Sequence, residues 1–130
     1  MLVLMDWVLK VGGSLFPEDA VKLCRTLEGK DVMVISGGGK LANQLRAYDE
    51  KMSFSDTATH KSAILCMDIL GMLLADKISS AEVIYTFKQA KSALKSGRIP
   101  ILLPFQYLDD TDPIEHSWGV TSDSLSLYIA

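Results

Sequence analysis

The chain has 130 residues, a length at the mode for one folded domain. Apolar residues make up 48% of it and charged residues 22%, which excludes a disordered polar chain and allows a substantial core. The formal net charge is −3, so the composition indicates no basic surface for nucleic acid and we expect no nucleic-acid partner.

The first half of the chain alternates short apolar runs with helical patterns. Residues 7–11 predict a strand that ends at a glycine pair, and the helix that follows has Pro17 in its first position and Gly29 after its last turn. Residues 31–36 predict a second strand, which ends at three glycines and leads into a helix over 40–50.

The second half continues this alternation. Ser55 or Asp56 is expected to cap a long helix over 57–78, whose apolar residues occur on nearly every face and predict burial on all sides. The remaining predicted elements are strands at 81–86 and 99–103, a helix over 88–96, a polar irregular segment over 108–118 and a final helix capped by Thr121. Strands that alternate with helices predict an α/β fold, a three-layer αβα sandwich with a mainly parallel sheet.

The cysteines and the apolar segments indicate in which cellular compartment the protein is expected. Cys24 and Cys66 are too few for a disulfide framework and lie among apolar residues, so we expect two buried thiols in a reducing environment. The longest apolar stretch, residues 64–75, contains Asp68 and is shorter than the roughly 20 residues of a membrane span. The amino terminus lacks the basic start of a secretory signal. We therefore expect a cytoplasmic protein without a membrane partner.

Two predicted strands end in glycines that open directly onto helices. Gly12 and Gly13 follow the first strand, and Gly37, Gly38 and Gly39 follow the second. Ligands bind at the carboxyl ends of parallel strands, where glycine lets backbone N–H groups approach an anion. Glycine can also serve only to make a turn tight. Because two such corners occur in neighbouring units, we favour a phosphate or another oxyanion shared between them.

Charged and polar side chains are predicted near the same edge of the sheet. Lys10 lies two residues before Gly12, where it could reach a phosphate or face solvent on an edge strand. His116 follows the fourth strand and is a candidate substrate contact. Asp123 lies in the first turn of the last predicted helix. It is either an orienting group for phosphoryl transfer or an acidic residue that interacts only with the helix dipole. No metal-ligand spacing surrounds His60 or His116, so no metal site is predicted.

A dinucleotide-binding corner is an alternative interpretation of the second glycine run. Residues 37–42 match the G-x-G-x-x-A spacing, and Asp56 follows at about the right distance. Against this interpretation, the fingerprint normally belongs to the first strand–helix unit, whereas here a glycine pair precedes it. No loop of the G-x-x-x-x-G-K-[ST] type occurs in the sequence.

Three segments together resemble the amino acid kinase family, and they occur in the order that the family has. Residues 8–15, VLKVGGSL, resemble its opening strand, and residues 34–39, VISGGG, resemble its second glycine loop. Residues 121–123, TSD, resemble the acidic motif that leads into its second lobe. Within the family, residues 37–43 and 116–123 are most similar to archaeal-type kinases of methanofuran biosynthesis.

The resemblance implies a phosphotransferase that uses ATP and Mg²⁺ and acts on a small phosphorylated acceptor, such as an aminomethyl-furan-methyl phosphate. In such a kinase Lys10 would bridge the transferring phosphoryl group, and Asp123 would organise the catalytic lysines. The other implied contacts are Gly12, Gly13 and Ser14 with the nucleotide, and Gly37, Gly38, Gly39, His116 and Thr121 with the acceptor.

Family members also have a second lobe, which binds the nucleoside and supplies another catalytic lysine. The resemblance therefore implies that residues 1–130 form one domain, the acceptor-binding lobe, which ends where the nucleotide-binding lobe should begin and is inactive by itself. A function of a different class, a non-catalytic oxyanion-binding or storage protein on the same fold, is the alternative.

The long helix over 57–78 carries two apolar stripes on different sides. One stripe, formed by Ile64, Met67, Gly71 and Leu74, can pack on the sheet. The other, formed by Leu65, Ile69, Met72 and Leu73, needs a separate cover, since apolar patches of this size are seldom left in water. We therefore predict a homodimer in which this helix packs against its own copy.

Overall fold

A four-stranded parallel sheet forms the centre of the fold in the computed structural model, which describes residues 7–111. The strands are β1 (Trp7–Val11), β2 (Val32–Ser36), β3 (Ala81–Ile84) and β4 (Ile99–Leu102). The helices are α1 (Glu18–Arg25), α2 (Gly39–Met52), α3 (Asp56–Asp76), α4 (Phe87–Lys95) and α5 (Phe105–Thr111). The strand order is β1-β2-β4-β3 and every neighbouring pair is parallel, so the predicted α/β fold is confirmed.

The register of β1 and β2 positions the two glycine corners. The two strands pair over their whole length, from Trp7 opposite Val32 to Val11 opposite Ser36. Both strands therefore end at the same level of the sheet. The residues that follow them leave the sheet side by side, as expected for the ligand edge of a parallel sheet.

The central strand β2 divides the core into two clusters because its side chains alternate between the faces of the sheet. Val32 and Val34 join a cluster with α1 and the second half of α3. Met33 and Ile35 join a cluster with α4, α5 and the first half of α3. Helices thus pack against both faces, which confirms the predicted three layers.

The helix α3 is the longest element, and it departs from the prediction of burial on all sides. Its cap is as predicted, since Ser55 Oγ accepts a hydrogen bond from the Ala58 amide at 3.1 Å. The predicted inner stripe is buried, and a Cβ on Gly71 would come within 2.9 Å of Leu103 Cδ2. The side chains of the second stripe remain 42–54% exposed: Leu65, Ile69, Met72 and Leu73. The sheet offers α3 one face to pack on, so its outer side is uncovered in the single chain.

The length and apolar composition of α3 would allow it to cross a membrane. Nearly half of its most apolar part is buried against the rest of the protein, and the core helices of soluble proteins can have the same length and apolar composition. This helix is therefore weak evidence for a membrane span.

The segment after β4 corrects part of a second expectation, since residues 108–118 are predicted to be irregular, whereas 108–111 are helical and 112–118 lie outside the described residues. The chain instead forms α5 from Phe105, and Leu108 on this helix is buried in the core. A side chain from α3, Asp68, accepts a hydrogen bond from the first amide of α5. A smaller difference is that Pro17 precedes the first residue of α1. The predicted helix after Thr121 lies outside the described residues.

Candidate functional site

The two glycine corners lie in direct backbone contact. The Gly37 amide donates a hydrogen bond to the Val11 carbonyl at 2.9 Å, which ties the end of β2 to the end of β1. A Cβ on Gly13 would overlap the backbone nitrogen and Cα of Gly39. A Cβ on Gly37 would come within 2.8 Å of the Gly13 nitrogen. The prediction that both corners share one edge of the sheet is confirmed.

The packing of α3 against the second glycine corner explains part of the requirement for glycine there. Gly39 has a φ of +57°, a left-handed conformation that side chains rarely adopt. A Cβ there would also come within 3.0 Å of Leu70 Cδ1 on α3. A Cβ on Gly38 would lie 2.7 Å from the Ala42 Cβ and 3.5 Å from the Cys66 Cβ. The helix α3 thus packs directly against the second glycine corner, and it can approach so closely because Gly38 and Gly39 have no side chains.

The amino end of α2 gives the corner its electrostatic character. This helix of 14 residues begins at Gly39, and its cap residue, Gly38, offers no side chain to its first amides. Its first turn contains no acidic residue, and the exposed Lys40 lies within it. The first N–H groups of a helix lack partners within the helix and carry partial positive charge. The arrangement therefore suits an anion such as a phosphate.

The side chain of Lys10 extends toward the second glycine corner. Lys10 is half-buried on β1 and pairs with Ile35 of β2. Its Cε lies 3.4 Å from the position that a Cβ on Gly37 would occupy. The structure therefore brings Lys10, Gly13 and Gly37 together.

Two serines border the corner, one on each strand end. Ser36 is buried, and its Oγ donates a hydrogen bond to the Gly37 carbonyl at 3.0 Å, which holds the start of the second glycine run. Ser14 is exposed in a short 3₁₀ turn, Gly13–Leu15. A Cβ on Gly12 would meet only Ser14 Oγ, at 3.9 Å, so the side of the corner next to Gly12 is open.

The other predicted site residues are not brought to the corner by the described part of the chain. His116, Thr121 and Asp123 lie outside residues 7–111, so their roles stay predictions. His60 is buried on α3. Within the same residues, no group of three His, Cys, Asp or Glu side chains could hold a metal ion.

The two cysteines are buried thiols, as predicted, and neither is a candidate nucleophile. Cys24 and Cys66 are both free. Burial raises the pKa of the Cys24 thiol to about 11 and also raises the pKa of Cys66. Because the thiolate is the reactive form, burial disfavours nucleophilic reaction at both thiols.

Asp68 is a polar residue near this edge to which the sequence interpretation assigned no role. It is half-buried on α3, and burial raises the pKa of its carboxyl to about 6, against the smaller lowering effect of the Phe105 amide. The available signal was a single acid inside the apolar run of residues 64–75. Its partner could not be found in this way, because Phe105 lies 37 residues further along the chain.

Comparison with known proteins places these features in a family. The sequence profile of the amino acid kinase family matches residues 5–130. The chain is 41% identical over 128 residues to [5-(aminomethyl)furan-3-yl]methyl phosphate kinase from Methanocaldococcus jannaschii, an alignment that covers 94% of this chain and 58% of the relative.

A solved structure, uridylate kinase from Archaeoglobus fulgidus, has a similar fold. The TM-score is 0.61 and the sequence identity is 30%, over 75% of this chain and 50% of that one. The chain thus spans roughly half of the length of the relatives it matches. On the profile match and the identity to the kinase, the chain belongs to the amino acid kinase family.

Proposed function

We propose that this chain is the acceptor-binding lobe of a kinase that transfers a phosphoryl group from ATP to a small phosphorylated acceptor. The observation that carries the proposal is the contact between the two glycine corners, with Lys10 extended toward them. The name of the Methanocaldococcus jannaschii relative supports [5-(aminomethyl)furan-3-yl]methyl phosphate as the acceptor. UMP, which the name of the structural neighbour indicates, is the rival acceptor.

Catalysis by this corner is electrostatic and positional. In phosphoryl transfer, negative charge spreads over the oxygens of the transferring group while the attacking and leaving oxygens stay in line. The Lys10 ammonium and the backbone amides at Gly13 and Gly39 are fixed donors that can face that charge. In the proposed roles, Asp123 orients the catalytic lysines, and His116 and Thr121 contact the acceptor.

The residues at the corner fit ATP phosphates better than they fit a protein-bound metal. Gly12, Gly13 and Ser14 are proposed to meet the terminal phosphates, because this turn lies on the open side of the corner. Mg²⁺ is proposed to be held mainly by the phosphates and water, since it usually takes only one or two carboxylates from the protein. Bound in this way, it would neutralise phosphate charge.

An assay with a complete kinase tests the proposal. This chain can be joined to the part of the Methanocaldococcus jannaschii relative that it does not cover, and the chimaera incubated with ATP, Mg²⁺ and either acceptor. Phosphorus NMR should detect the diphosphate of the furan acceptor and little UDP. The 130-residue chain alone should produce no ADP, since transfer requires both partners to be held in line.

The same assay decides between the kinase and the alternative function. Anion binding without phosphoryl transfer by the chimaera would favour a non-catalytic binding or storage protein and contradict the kinase proposal. The kinase name of the relative does not favour that alternative.

We further propose that the protein forms a homodimer through the outer stripe of α3. The stripe continues into a cleft of about 210 Å³ between α2 and α3, lined by Leu45, Tyr48, Phe54, Ala58, Thr59 and Ser62. Tyr48 and Phe54 are 52% and 48% exposed, similar to the stripe itself. Steps of three and four residues lead from Ser62 to Leu65 and on to Ile69, so the cleft and the stripe form one surface.

The size of this surface favours a second copy as its cover. Six half-exposed side chains, two of them aromatic, leave on the order of 500 Å² of apolar area in water. That area lies in the upper range for patches on monomers, and it supplies much of the roughly 800 Å² that each partner buries in a stable pair. When this helix of 21 residues packs against its own copy, the outer stripe of each protomer covers the outer stripe of the other.

We propose a cytoplasmic location, which the chemistry of the cysteines supports. Cys24 and Cys66 are buried and unpaired, which suits a reducing compartment.

A further inference from the structure

The first turn of α2 contains a cation at a place where helix electrostatics disfavour one. Lys40 is the second residue of this helix, which begins at Gly39. The amino end of a helix carries partial positive charge, so an ammonium group there lowers the stability of the helix. The side chain of Lys40 is exposed, and the first turn contains no acidic residue that could offset its charge. Helix stability therefore does not account for Lys40, whereas an anion bound at this end of α2 would make the lysine favourable.

The geometry of a helix brings the side chain of Lys40 toward the second glycine corner. The Cα–Cβ bonds of an α-helix are tilted toward its amino end, so a side chain covers the turn that precedes it. For Lys40 that turn is formed by residues 37–39, which lead from the end of β2 into α2. A lysine stem has four carbons, so its ammonium can reach about one turn, roughly 5.4 Å, along the helix axis. Lys40 can therefore reach an anion at this corner from α2, while Lys10 extends toward it from β1.

The two glycine corners have a local excess of positive charge, although the protein as a whole is acidic. The residues around them, 7–16 and 32–45, contain two cations, Lys10 and Lys40, and no aspartate or glutamate. The formal net charge of the whole chain is −3. Each lysine can act as a point charge for one phosphate group, so the corner suits two neighbouring phosphates.

The proposed reaction places two phosphate groups side by side. Both acceptors considered above carry a phosphate monoester, which has about two negative charges at neutral pH. An oxygen of that phosphate attacks the γ-phosphorus of ATP, the bond from this phosphorus to the β–γ bridging oxygen breaks, and its electron pair leaves with ADP. Lys10 is proposed to meet the transferring group. The acceptor phosphate therefore needs a cation of its own.

We propose that Lys40 is a specificity-determining residue, which binds the phosphate group of the acceptor and thereby selects phosphorylated acceptors over the corresponding alcohols. The proposal rests on the proposed function for the identity of the ligand. The acceptor phosphate loses negative charge as its oxygen bonds to the γ-phosphorus, so Lys40 contributes to binding and not to lowering the barrier of the chemical step. Loss of its charge should weaken acceptor binding without slowing transfer.

A phosphate titration of the 130-residue chain tests whether Lys40 binds an anion, independently of any kinase activity. Inorganic phosphate is the probe, and the amide signals of Gly37 and Gly38 in NMR spectra report its binding. Lys40→Ala should raise the Kd about tenfold, and Lys40→Arg should restore it to within about threefold. A Kd for Lys40→Ala within about twofold of the parent's, or a parent chain that binds no phosphate, would overturn the role of Lys40.

Lys88 provides a matched control for this titration. It is the second residue of α4, and it is exposed in a first turn that also contains no acidic residue. Lys88→Ala therefore removes the same unfavourable interaction with a helix dipole as Lys40→Ala, at a helix that follows β3 and not β2. The Kd of Lys88→Ala for phosphate should equal that of the parent. An equal loss of binding in both variants would show that Lys40 acts only through the net charge of the protein.

A kinetic comparison in the chimaera tests the selection of acceptors. Lys40→Ala should raise the KM for the furan phosphate about tenfold, while kcat and the KM for ATP stay within about twofold. The alcohol [5-(aminomethyl)furan-3-yl]methanol lacks the phosphate, and as a competitive inhibitor it should have the same inhibition constant in both proteins. An unchanged KM in an active chimaera, or an equal rise in the inhibition constant of the alcohol, would contradict the selection by Lys40. If the chimaera transfers no phosphate, the proposed function is wrong, and the phosphate titration still decides whether Lys40 binds an anion.

Discussion

Gly13 and Gly39 lie in backbone contact, although 26 positions separate them in the sequence. A methyl group on Gly13 would overlap the amide nitrogen and Cα of Gly39, and neither atom can move aside as a flexible side chain would. Gly12, its immediate neighbour, has no such restriction, because a Cβ there would meet only Ser14 Oγ at 3.9 Å. The two adjacent glycines therefore differ in what they tolerate.

The first prediction compares these neighbours. Gly13→Ala should lower the free energy of unfolding by at least about 2 kcal/mol, because it forces two backbone segments apart. Gly12→Ala should change it by less than about 1 kcal/mol, since its φ of −58° suits alanine. Urea unfolding followed by circular dichroism measures both. Equal stabilities of the two variants would mean that the corners are not in contact in solution.

The second prediction concerns Lys10. In the chimaera, Lys10→Ala should lower kcat by about 10²–10³-fold, as the loss of one fixed donor to the transition state does in other enzymes. The unfolding free energy should change little, because the side chain is half-buried at the edge of the sheet. Lys22→Ala, at an exposed position on α1, is the matched control. A kcat for Lys10→Ala within about twofold of the parent would remove this lysine from the mechanism.

The adjacency of the glycine corners was predictable from the sequence because it follows from strand pairing. Parallel strands have their carboxyl ends at the same edge of a sheet, so the glycines that follow two consecutive strands are expected at that edge. The sequence did not predict that Gly13 excludes a side chain whereas Gly12 accepts one. This difference depends on how closely the backbone of Gly39 approaches Gly13.

The helix α5 shows the limit of local patterns. The polar residues near its end indicated an irregular segment, and the cap that starts the helix comes from Asp68, 37 residues earlier. Turn and cap signals are local in sequence, so a cap supplied by another helix leaves none. The outer stripe of α3 could be identified in the sequence. Its exposure could not, because it depends on whether another element of the chain packs on that side of the helix.

The third prediction is a pH dependence of stability that arises from Asp68. Its pKa is raised from 3.8 to about 6 in the folded protein, so between about pH 4 and pH 6 the folded state holds a proton that the unfolded chain has released. Asp68 therefore lowers stability as the pH rises through this window. The effect is at most about 3 kcal/mol, and water that reaches the half-buried side chain reduces it.

Asp68→Asn tests this dependence because the amide does not titrate. The stability of the variant relative to the parent should increase between pH 4 and pH 7 in urea unfolding experiments. A relative stability that stays constant across this range would show that the carboxyl titrates normally in the folded protein.

The fourth prediction concerns the outer stripe of α3. Met72→Lys places a charge in the middle of the proposed interface and should convert a dimer into a monomer, because a buried unpaired ammonium is strongly unfavourable. Size-exclusion chromatography with light scattering, at tens of micromolar protein, measures the mass. Ser92→Lys, at an exposed position of α4 on the other face of the sheet, should remain dimeric. A parent protein that is monomeric at this concentration would contradict the dimer.

An NMR titration of the 130-residue chain with [5-(aminomethyl)furan-3-yl]methyl phosphate tests most directly whether a phosphate binds where the two glycine corners meet. If the acceptor phosphate binds at the second glycine corner, the amide signals of Gly37, Gly38 and Gly39 should move along one binding curve. The Gly13 signal should follow the same curve, because its backbone contacts Gly39. Gly29 and Gly97 lie in exposed turns after α1 and α4, and their amide signals should stay in place. Movement at those two turns, with the four corner glycines unchanged, would contradict a phosphate site between the strand ends.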